Sequence, residues 1–198
     1  MKLGTFSADA SYASDLFRQI PGLEIEAIEP GRGCSAQRAV DALEEKSVTA
    51  ILAAESFDEK SVSHKVPLIA PSSVMRRVVS SIAAGRKLGV IVKEKGGAAA
   101  SIAAWKEAGA EVAAAAEVAP GAGFVAFADA ALKLKAAGAE MLVLESMAYS
   151  LKAKKLIQEF SGLPVIAARS AVASVVNELY GNAARERDLM AENVALAG

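Results

Sequence analysis

Two Glu-Ser pairs, Glu55-Ser56 and Glu145-Ser146, are the residues of this sequence whose types and positions best suit chemistry. Each pair directly follows a short apolar run that is typical of a buried strand. Two carboxylates in one closed site can divide the roles of proton donor and proton acceptor. The pairs therefore predict catalytic positions for acid–base chemistry on a small molecule.

Further polar residues stand where other predicted strands end. In a parallel sheet, ligands bind beyond the carboxyl ends of the strands. Helices that begin there, at Ser72 or Ser73 and at Ser170, direct backbone N–H groups toward an anion. We therefore expect a small carboxylate ligand to be bound by a set of serines and one lysine: Ser7, Ser72, Ser73, Lys93 and Ser170.

Three interpretations of the Glu-Ser pairs remain open. In the first, the site binds a small carboxylate metabolite without changing it. In the second, the protein is a cofactor-independent isomerase, racemase or lyase in which Glu55 and Glu145 act as acid and base. In the third, the protein is a non-catalytic structural or interaction protein. The pairs then have a local role, because Ser often caps the next helix and Glu stabilises its first turn.

The single cysteine and the single histidine limit the alternatives. One thiol, Cys34, forms no internal disulfide and no cysteine-rich zinc site. Cys34 is predicted at the start of a helix beside Arg32, where a thiolate would be stabilised, although a packing role is the plainer interpretation. His64 precedes a strand at the edge opposite the predicted site, so we expect it at the surface. We predict no metal and no cofactor.

Charge and composition argue against large or extended partners. The net charge is −1, aromatic residues make up 5% of the chain, and no basic stripe is present. We therefore expect no nucleic acid to bind. No run of 18 apolar residues and no signal peptide is evident, so we expect no membrane association and a cytoplasmic location. The charged segment 185–188 suits a solvated helix or a subunit contact, which leaves a homodimer open.

Short apolar runs alternate with helical patterns along the chain, which predicts βαβ units and parallel sheets. Val48–Ala54, Lys87–Val92 and Met141–Leu144 are predicted strands, and helices are predicted to begin at Ser35 and Ser150. The fold class is therefore α/β, with mainly parallel sheets flanked by helices.

The order of elements in residues 1–84 is repeated in residues 85–180. Pro67 matches Pro164 at an offset of 97 (164 − 67), and Glu55 matches Glu145 at an offset of 90 (145 − 55). The repeat predicts two pseudosymmetric lobes with a ligand cleft between them. The expected domains are an N-terminal lobe, 1–84, which the C-terminal helix 170–198 would complete, and a C-terminal lobe, 85–169.

The second half also resembles the AroM family and, more distantly, the aspartate/glutamate/hydantoin racemase superfamily. The likeness covers about residues 66–180, and residues 1–65 only by the order of elements. It rests on Val78-Val79-Ser80-Ser81-Ile82, Leu88-Gly89-Val90-Ile91-Val92, the run from Gly138 to Ser146, Leu163-Pro164-Val165-Ile166 and the closing helix. It implies two pseudosymmetric lobes, a ligand cleft and a last helix that returns to the first lobe.

The resemblance also implies which positions would be catalytic. Racemases of the superfamily carry one cysteine at the end of the third strand of each lobe, and these positions are Ser56 and Ser146 here. AroM proteins have an acidic residue followed by Cys at the second position, so Glu145 matches and Ser146 departs. Because a hydroxyl is a far weaker acid than a thiol, the resemblance implies a small-carboxylate site without the two-thiol reaction.

Overall fold

The computed structural model describes residues 1–6, 17, 20, 22–29, 35–53, 57 and 59–181. Four of the residues selected from the sequence, Ser7, Cys34, Glu55 and Ser56, lie outside the described residues, as does the charged segment 185–188. The described residues therefore include only the rest of the predicted site.

The described chain forms two four-stranded parallel sheets flanked by helices, which is the α/β architecture that the sequence predicts. The first sheet has the order β2-β1-β3-β4 and the second has the order β6-β5-β7-β8. The strands are β1 (Lys2–Phe6), β2 (Glu24–Ile28), β3 (Ala50–Leu52), β4 (Leu68–Ile69), β5 (Lys87–Val92), β6 (Glu111–Glu117), β7 (Met141–Leu144) and β8 (Val165–Ala167).

Among the described residues, six α-helices and one 3₁₀ turn connect or follow these strands. Ser35 and Ser150 cap their helices as predicted: their hydroxyls accept the N–H groups of Arg38 at 3.3 Å and of Ala153 at 3.1 Å. The helices are α1 (Ala36–Glu45), α2 (Pro71–Ile82), α3 (Ala98–Glu107), α4 (Phe124–Ala136), α5 (Leu151–Ser161) and α6 (168–181), and Glu59–Ser61 forms a single 3₁₀ turn.

Two predicted strands of the second half have their predicted bounds, whereas the predicted strand Val48–Ala54 of the first half is too long. Lys87–Val92 and Met141–Leu144 are strands with the predicted bounds, while Val48–Ala54 reduces to Ala50–Leu52. Val48 is nevertheless buried. An apolar run thus predicts burial more securely than it predicts the extent of hydrogen-bonded pairing.

The chain divides into two compact units whose boundaries differ from those of the sequence repeat. One unit comprises Met1–Ala70 together with the chain from Val172, and the other is Pro71–Ala171. Helix α2 therefore belongs to the second unit rather than to the first, although it precedes the start of the second repeat.

The strand register revises the alignment of the two halves. Gly4 pairs with Ile51 in the first sheet, and the matching Gly89 pairs with Leu142 in the second. The third strands therefore align at an offset of 91 (142 − 51), one more than the alignment of the Glu-Ser pairs requires. Counting along the sequence at this offset, Glu145 corresponds to position 54 and not to position 55.

Helices α4 and α5 bury one face of the second sheet. Ile91, Leu142 and Leu144 point into this core, where they meet Leu134 of α4 and Ile157 of α5. Each of these side chains is at most 1% exposed. Because burying a large aliphatic side chain contributes about 1.5–3 kcal/mol, this layer is a main source of the unit's stability.

Gly89 allows α4 to approach the sheet closely. A Cβ atom at this position would lie 2.6 Å from Cδ2 of Leu142, 2.9 Å from Cβ of Ala139 and 3.0 Å from Cβ of Leu134. At the matching Gly4, the nearest atoms are side-chain methyl groups of Leu43 and Val48 at 3.1–3.2 Å. The Cβ atoms near Gly89 move only with their backbone, whereas the Leu43 methyl groups can rotate away.

We predict that Gly89→Ala destabilises the protein by about 1–3 kcal/mol through overpacking. The matched substitution Gly4→Ala should change stability by less than about 1 kcal/mol, because reduced freedom of the unfolded chain offsets a small clash. Urea unfolding followed by circular dichroism measures both. Equal stability of the two variants would show that α4 can move away from the sheet.

Tyr180 of α6 is anchored within the first unit. Its hydroxyl lies 3.0 Å from the hydroxyl of Thr49, which itself donates to the carbonyl of Lys2 at 3.0 Å. Thr49 has only one proton to donate, so Tyr180 is the donor in the first bond. Tyr180 is 4% exposed, and this burial raises the pKa of its hydroxyl above the ordinary value of 10.0.

This raised pKa predicts a loss of stability in alkali. Above about pH 10 the unfolded chain releases the Tyr180 proton while the folded chain retains it, so the free energy of unfolding falls as the pH rises. In Tyr180→Phe, this contribution to the fall of the free energy of unfolding with pH should be absent. Urea unfolding at pH 8 and above pH 10 tests this prediction, and parallel profiles for the two proteins would contradict it.

Candidate functional site

The second sheet has a topological switch point between β5 and β7. From β5 the chain crosses to β6 on one side, and it then returns past β5 to reach β7 and β8 on the other. Loops that leave β5 and β7 therefore separate to opposite faces of the sheet, and α/β sheets bind their ligands at such a point. Lys93 and Glu145 are the residues that directly follow these two strands.

Glu145 lies on the sheet face opposite the α4–α5 core. Leu144 points into that core, and side chains alternate along an extended chain, so Glu145 faces α3. Its carboxylate Oε2 accepts a hydrogen bond of 2.7 Å from the hydroxyl of Ser101 in α3. Its backbone N–H donates to the carbonyl of Ile91 at 3.1 Å, which keeps the main chain attached to β5.

The start of α3 is fixed by a carboxylate from β6. The cap residue Gly97 has no side chain to accept the first N–H groups of the helix. Oε1 of Glu117 accepts the N–H of Gly96 at 2.8 Å and that of Ala98 at 3.4 Å. An anion is stabilised at a helix N-terminus, and here the protein supplies that anion itself.

Ser146 has a structural hydrogen bond in the turn that follows β7. Its side chain is 5% exposed, and its hydroxyl accepts the N–H of Ala148 at 3.1 Å. A serine that bonds two residues ahead stabilises a local turn. Ser146 thus has a local structural role, but it does not cap α5, whose cap is Ser150, and Glu145 does not lie in the first turn of that helix, which begins at Leu151.

Ser170 lies within the first turn of α6 and does not cap it. The helix begins at residue 168, directly after β8, whereas the sequence places its start at Ser170. The Ser170 hydroxyl donates to the carbonyl of Ala167 at 3.0 Å and accepts from Nζ of Lys154 at 3.2 Å. A lysine that the sequence analysis does not select therefore lies at the carboxyl end of β8.

The remaining predicted ligand-binding residues are half-buried. Nζ of Lys93 lies 3.8 Å from Oε1 of Glu94, so part of its charge is already paired. Ser72 and Ser73 lie in the first turn of α2, which begins one residue earlier, at Pro71. They follow the carboxyl end of β4, as predicted, but neither of them is the cap.

In the second half of the chain, the structure places Lys93, Glu145, Ser146 and Ser170 at one edge of the sheet. The residues that sequence reasoning missed are Ser101 and Lys154. Ser101 is a lone polar residue in the run from Ala98 to Ala104, on a helix whose other buried residue is Trp105. That isolation marks Ser101 as unusual, but the sequence does not show its partner, Glu145, which lies 44 residues away.

The exposure of His64 and the grouping of possible metal ligands can also be compared with the sequence-based expectations. His64 is exposed as predicted, and its Nδ1 lies 2.9 Å from the carbonyl oxygen of Val66. Across the part of the chain that the structure describes, no three His, Cys, Asp or Glu side chains are grouped so that they could bind a metal ion.

No helix within the described ranges combines the length and the apolar character that crossing a bilayer requires.

Several solved structures share this fold. An allantoin racemase from Pseudomonas fluorescens is 17% identical with a TM-score of 0.59, and the match covers 90% of each chain. An unliganded arylmalonate decarboxylase is 14% identical with a TM-score of 0.67, over 91% of this chain and 93% of that one. The maleate isomerase Iso from Pseudomonas putida S16 is 11% identical with a TM-score of 0.67, over 90% and 92%.

These structural matches establish the fold alone, because their sequence identities are low. The family is established by comparison of the sequence. No curated protein matches the sequence. The family model described as AroM protein matches residues 33–180, which is well over half of the chain and includes the whole edge with Glu145, Ser146 and Ser170. The chain therefore belongs to the AroM family.

Proposed function

We propose that the protein is a cofactor-independent enzyme that moves a proton at a carbon atom of a small carboxylate-bearing molecule. Glu145 carries the proton. The observation that supports this proposal best is a half-buried carboxylate at the switch point, with one oxygen held by Ser101 at 2.7 Å. A general acid or base needs such a fixed position within reach of a bound ligand.

A carboxylate at this position is hard to explain in a site that only binds an anion. Two like charges 4 Å apart repel each other by about 4 kcal/mol at an effective dielectric constant near 20. That repulsion alone would weaken the binding of a carboxylate by about a thousandfold. A proton acceptor, in contrast, has to be basic and close to the ligand, so proton transfer accounts for Glu145 better than binding does.

The similar structures favour the same class of reaction. By name they include a racemase and a decarboxylase. Racemisation and decarboxylation both leave a carbon atom that has to accept a proton. We infer that this chain performs such a transfer with a carboxylic acid, because the position of the superfamily's second thiol is occupied by Ser146, whose hydroxyl stabilises a turn.

Glu145→Gln tests this proposal. We expect the wild-type protein to exchange the acidic C–H hydrogen of at least one compound in a panel of amino acids, hydantoins and dicarboxylates in deuterated water. The amide of the variant cannot accept that proton at neutral pH, so exchange should fall by about 100-fold or more. Proton NMR of the substrate signal measures the rate.

Glu140→Gln is the matched control. Glu140 precedes β7 at the opposite edge of the sheet, where its carboxylate accepts the N–H of Lys87 at 3.0 Å. The control removes the same charge, so its exchange rate should stay within about threefold of the wild-type rate. Equal exchange by the wild type and by Glu145→Gln would contradict the role of Glu145, and no exchange with any compound would contradict the reaction.

A second candidate function, binding without turnover, is favoured by Lys154 and Ser170. The ammonium group of Lys154 lies beside the first turn of α6, at the same edge of the sheet as Glu145. A carboxylate there would meet a cation, a hydroxyl group and helix N–H groups. The same group would orient a substrate carboxylate if the protein is an enzyme.

We predict that Lys154→Met weakens the binding of small carboxylates by about five- to tenfold, because one half-buried cation is lost. Lys155→Met is the matched control: Lys155 is the next residue, is exposed and pairs with Glu159 at 4.0 Å. Titration calorimetry or ligand-induced thermal stabilisation measures the affinities. Equal weakening by both variants would indicate a general effect of charge rather than a site at Lys154.

A further inference from the structure

The hydroxyl group of Ser101 bonds the carboxylate on which the proposed reaction depends. It donates to Oε2 of Glu145 at 2.7 Å, which is the usual length of an O–H···O hydrogen bond. We propose that Ser101 is a positioning residue that fixes the Glu145 carboxylate for proton transfer. This inference rests on the proposed function and adds to it the residue that orients the proton carrier.

Ser101 occupies a place where serine has no local advantage. It lies inside α3, four residues after its cap, and only 8% of it is exposed. Serine is less favourable than alanine within a helix, and a buried hydroxyl needs a partner. The hydroxyl has a single proton, which it directs toward Glu145 in a hydrogen bond. The bond to Glu145 is therefore what compensates for a serine in this alanine-rich helix.

The helix that carries Ser101 is fixed on both sides of it. Glu117 bonds the N–H groups of Gly96 and Ala98, at the start of the helix. One turn after Ser101, on the same face, Trp105 is completely buried. A donor placed between two such anchors loses little freedom when it bonds the carboxylate, so its direction is set before any ligand arrives.

The acceptor is fixed as well. The backbone N–H of Glu145 bonds the carbonyl of Ile91, and its Oε2 bonds Ser101. Within the described part of the chain, Oε1 of Glu145 makes no hydrogen bond. One oxygen is thus used for orientation, and Oε1 is the oxygen that takes up and returns the proton in the proposed reaction.

Ser101→Ala and Ser101→Thr test the inference, with Ser101→Cys in place of the threonine variant if that variant does not fold. Loss of a hydrogen bond to a charged group should lower kcat for C–H exchange by about ten- to hundredfold, while KM changes less than threefold. The threonine variant keeps the hydroxyl and should stay within about threefold of the wild-type kcat. A cysteine variant, whose S–H is a weak donor, should lie between the two.

A second readout needs no substrate. In protein labelled with ¹³C at the glutamate carboxyl carbon, Glu145→Gln identifies the signal of Glu145. That signal should shift in Ser101→Ala and return toward its wild-type position in Ser101→Thr or Ser101→Cys. Fluorescence of Trp105, the single tryptophan of the chain, checks that α3 remains packed in each variant.

Ser161→Ala is the matched control. Ser161 is another buried serine in a helix, and its hydroxyl donates to the carbonyl of Ile157 at 2.7 Å. The control should lower stability without changing kcat or the Glu145 signal.

Three outcomes decide the inference. An unshifted Glu145 signal in Ser101→Ala overturns the contact itself, and an unchanged kcat overturns its role in the reaction. Absence of exchange by the wild-type protein overturns the proposed function and, with it, the role in proton transfer. In that case the ¹³C signal still establishes whether Ser101 holds the carboxylate, so the two failures are distinguished.

Discussion

The central position of β5 in the second sheet is the constraint on which the site depends. Parallel hydrogen bonds join β5 to β6 on one side and to β7 on the other, and the chain must cross the sheet in opposite directions to make both pairs. Right-handed crossovers then place α3 on one face and α4 with α5 on the other. The two faces acquire different roles: α4 and α5 bury the aliphatic core, whereas α3 faces Glu145.

This division explains why a partly buried carboxylate is tolerated at the end of an apolar strand. Four buried residues of β7 anchor the segment, and the next side chain falls by alternation on the face of α3. There it meets a hydroxyl donor rather than the aliphatic layer around Leu134 and Ile157. A glutamate one residue earlier would point into that layer, where an unpaired charge would be strongly destabilising.

The sequence predicts the architecture well because strand and helix periodicity are local properties. The alternation of apolar runs with helical patterns identifies both sheets, and Lys87–Val92 and Met141–Leu144 have the predicted bounds. Glu145 could also be selected, since the end of a parallel strand is a favoured position for a ligand. Ser101 and Lys154 could not, because each acquires its meaning from a partner 44 or 16 residues away.

The alignment of the two halves illustrates the same limit. Identical Glu-Ser letters suggest an offset of 90, but hydrogen-bond register is a property of paired strands and gives 91. A shift of one residue moves a side chain to the other face of a sheet, so matching letters do not establish matching roles. The second half therefore needs its own explanation for the position of Glu145, and Ser101 provides it within that half.

The charges at this edge of the second sheet also limit the ligands that suit the proposed reaction. Glu117 is already used by the start of α3, and Lys93 lies near Glu94, so neither offers a full charge to a ligand. Lys154 can balance one ligand carboxylate beside Ser170. A second ligand carboxylate near Glu145 would add a repulsion of several kcal/mol. Within the described residues, the arrangement therefore suits a ligand that places one carboxylate at Lys154 and an uncharged, acidic C–H bond at Glu145.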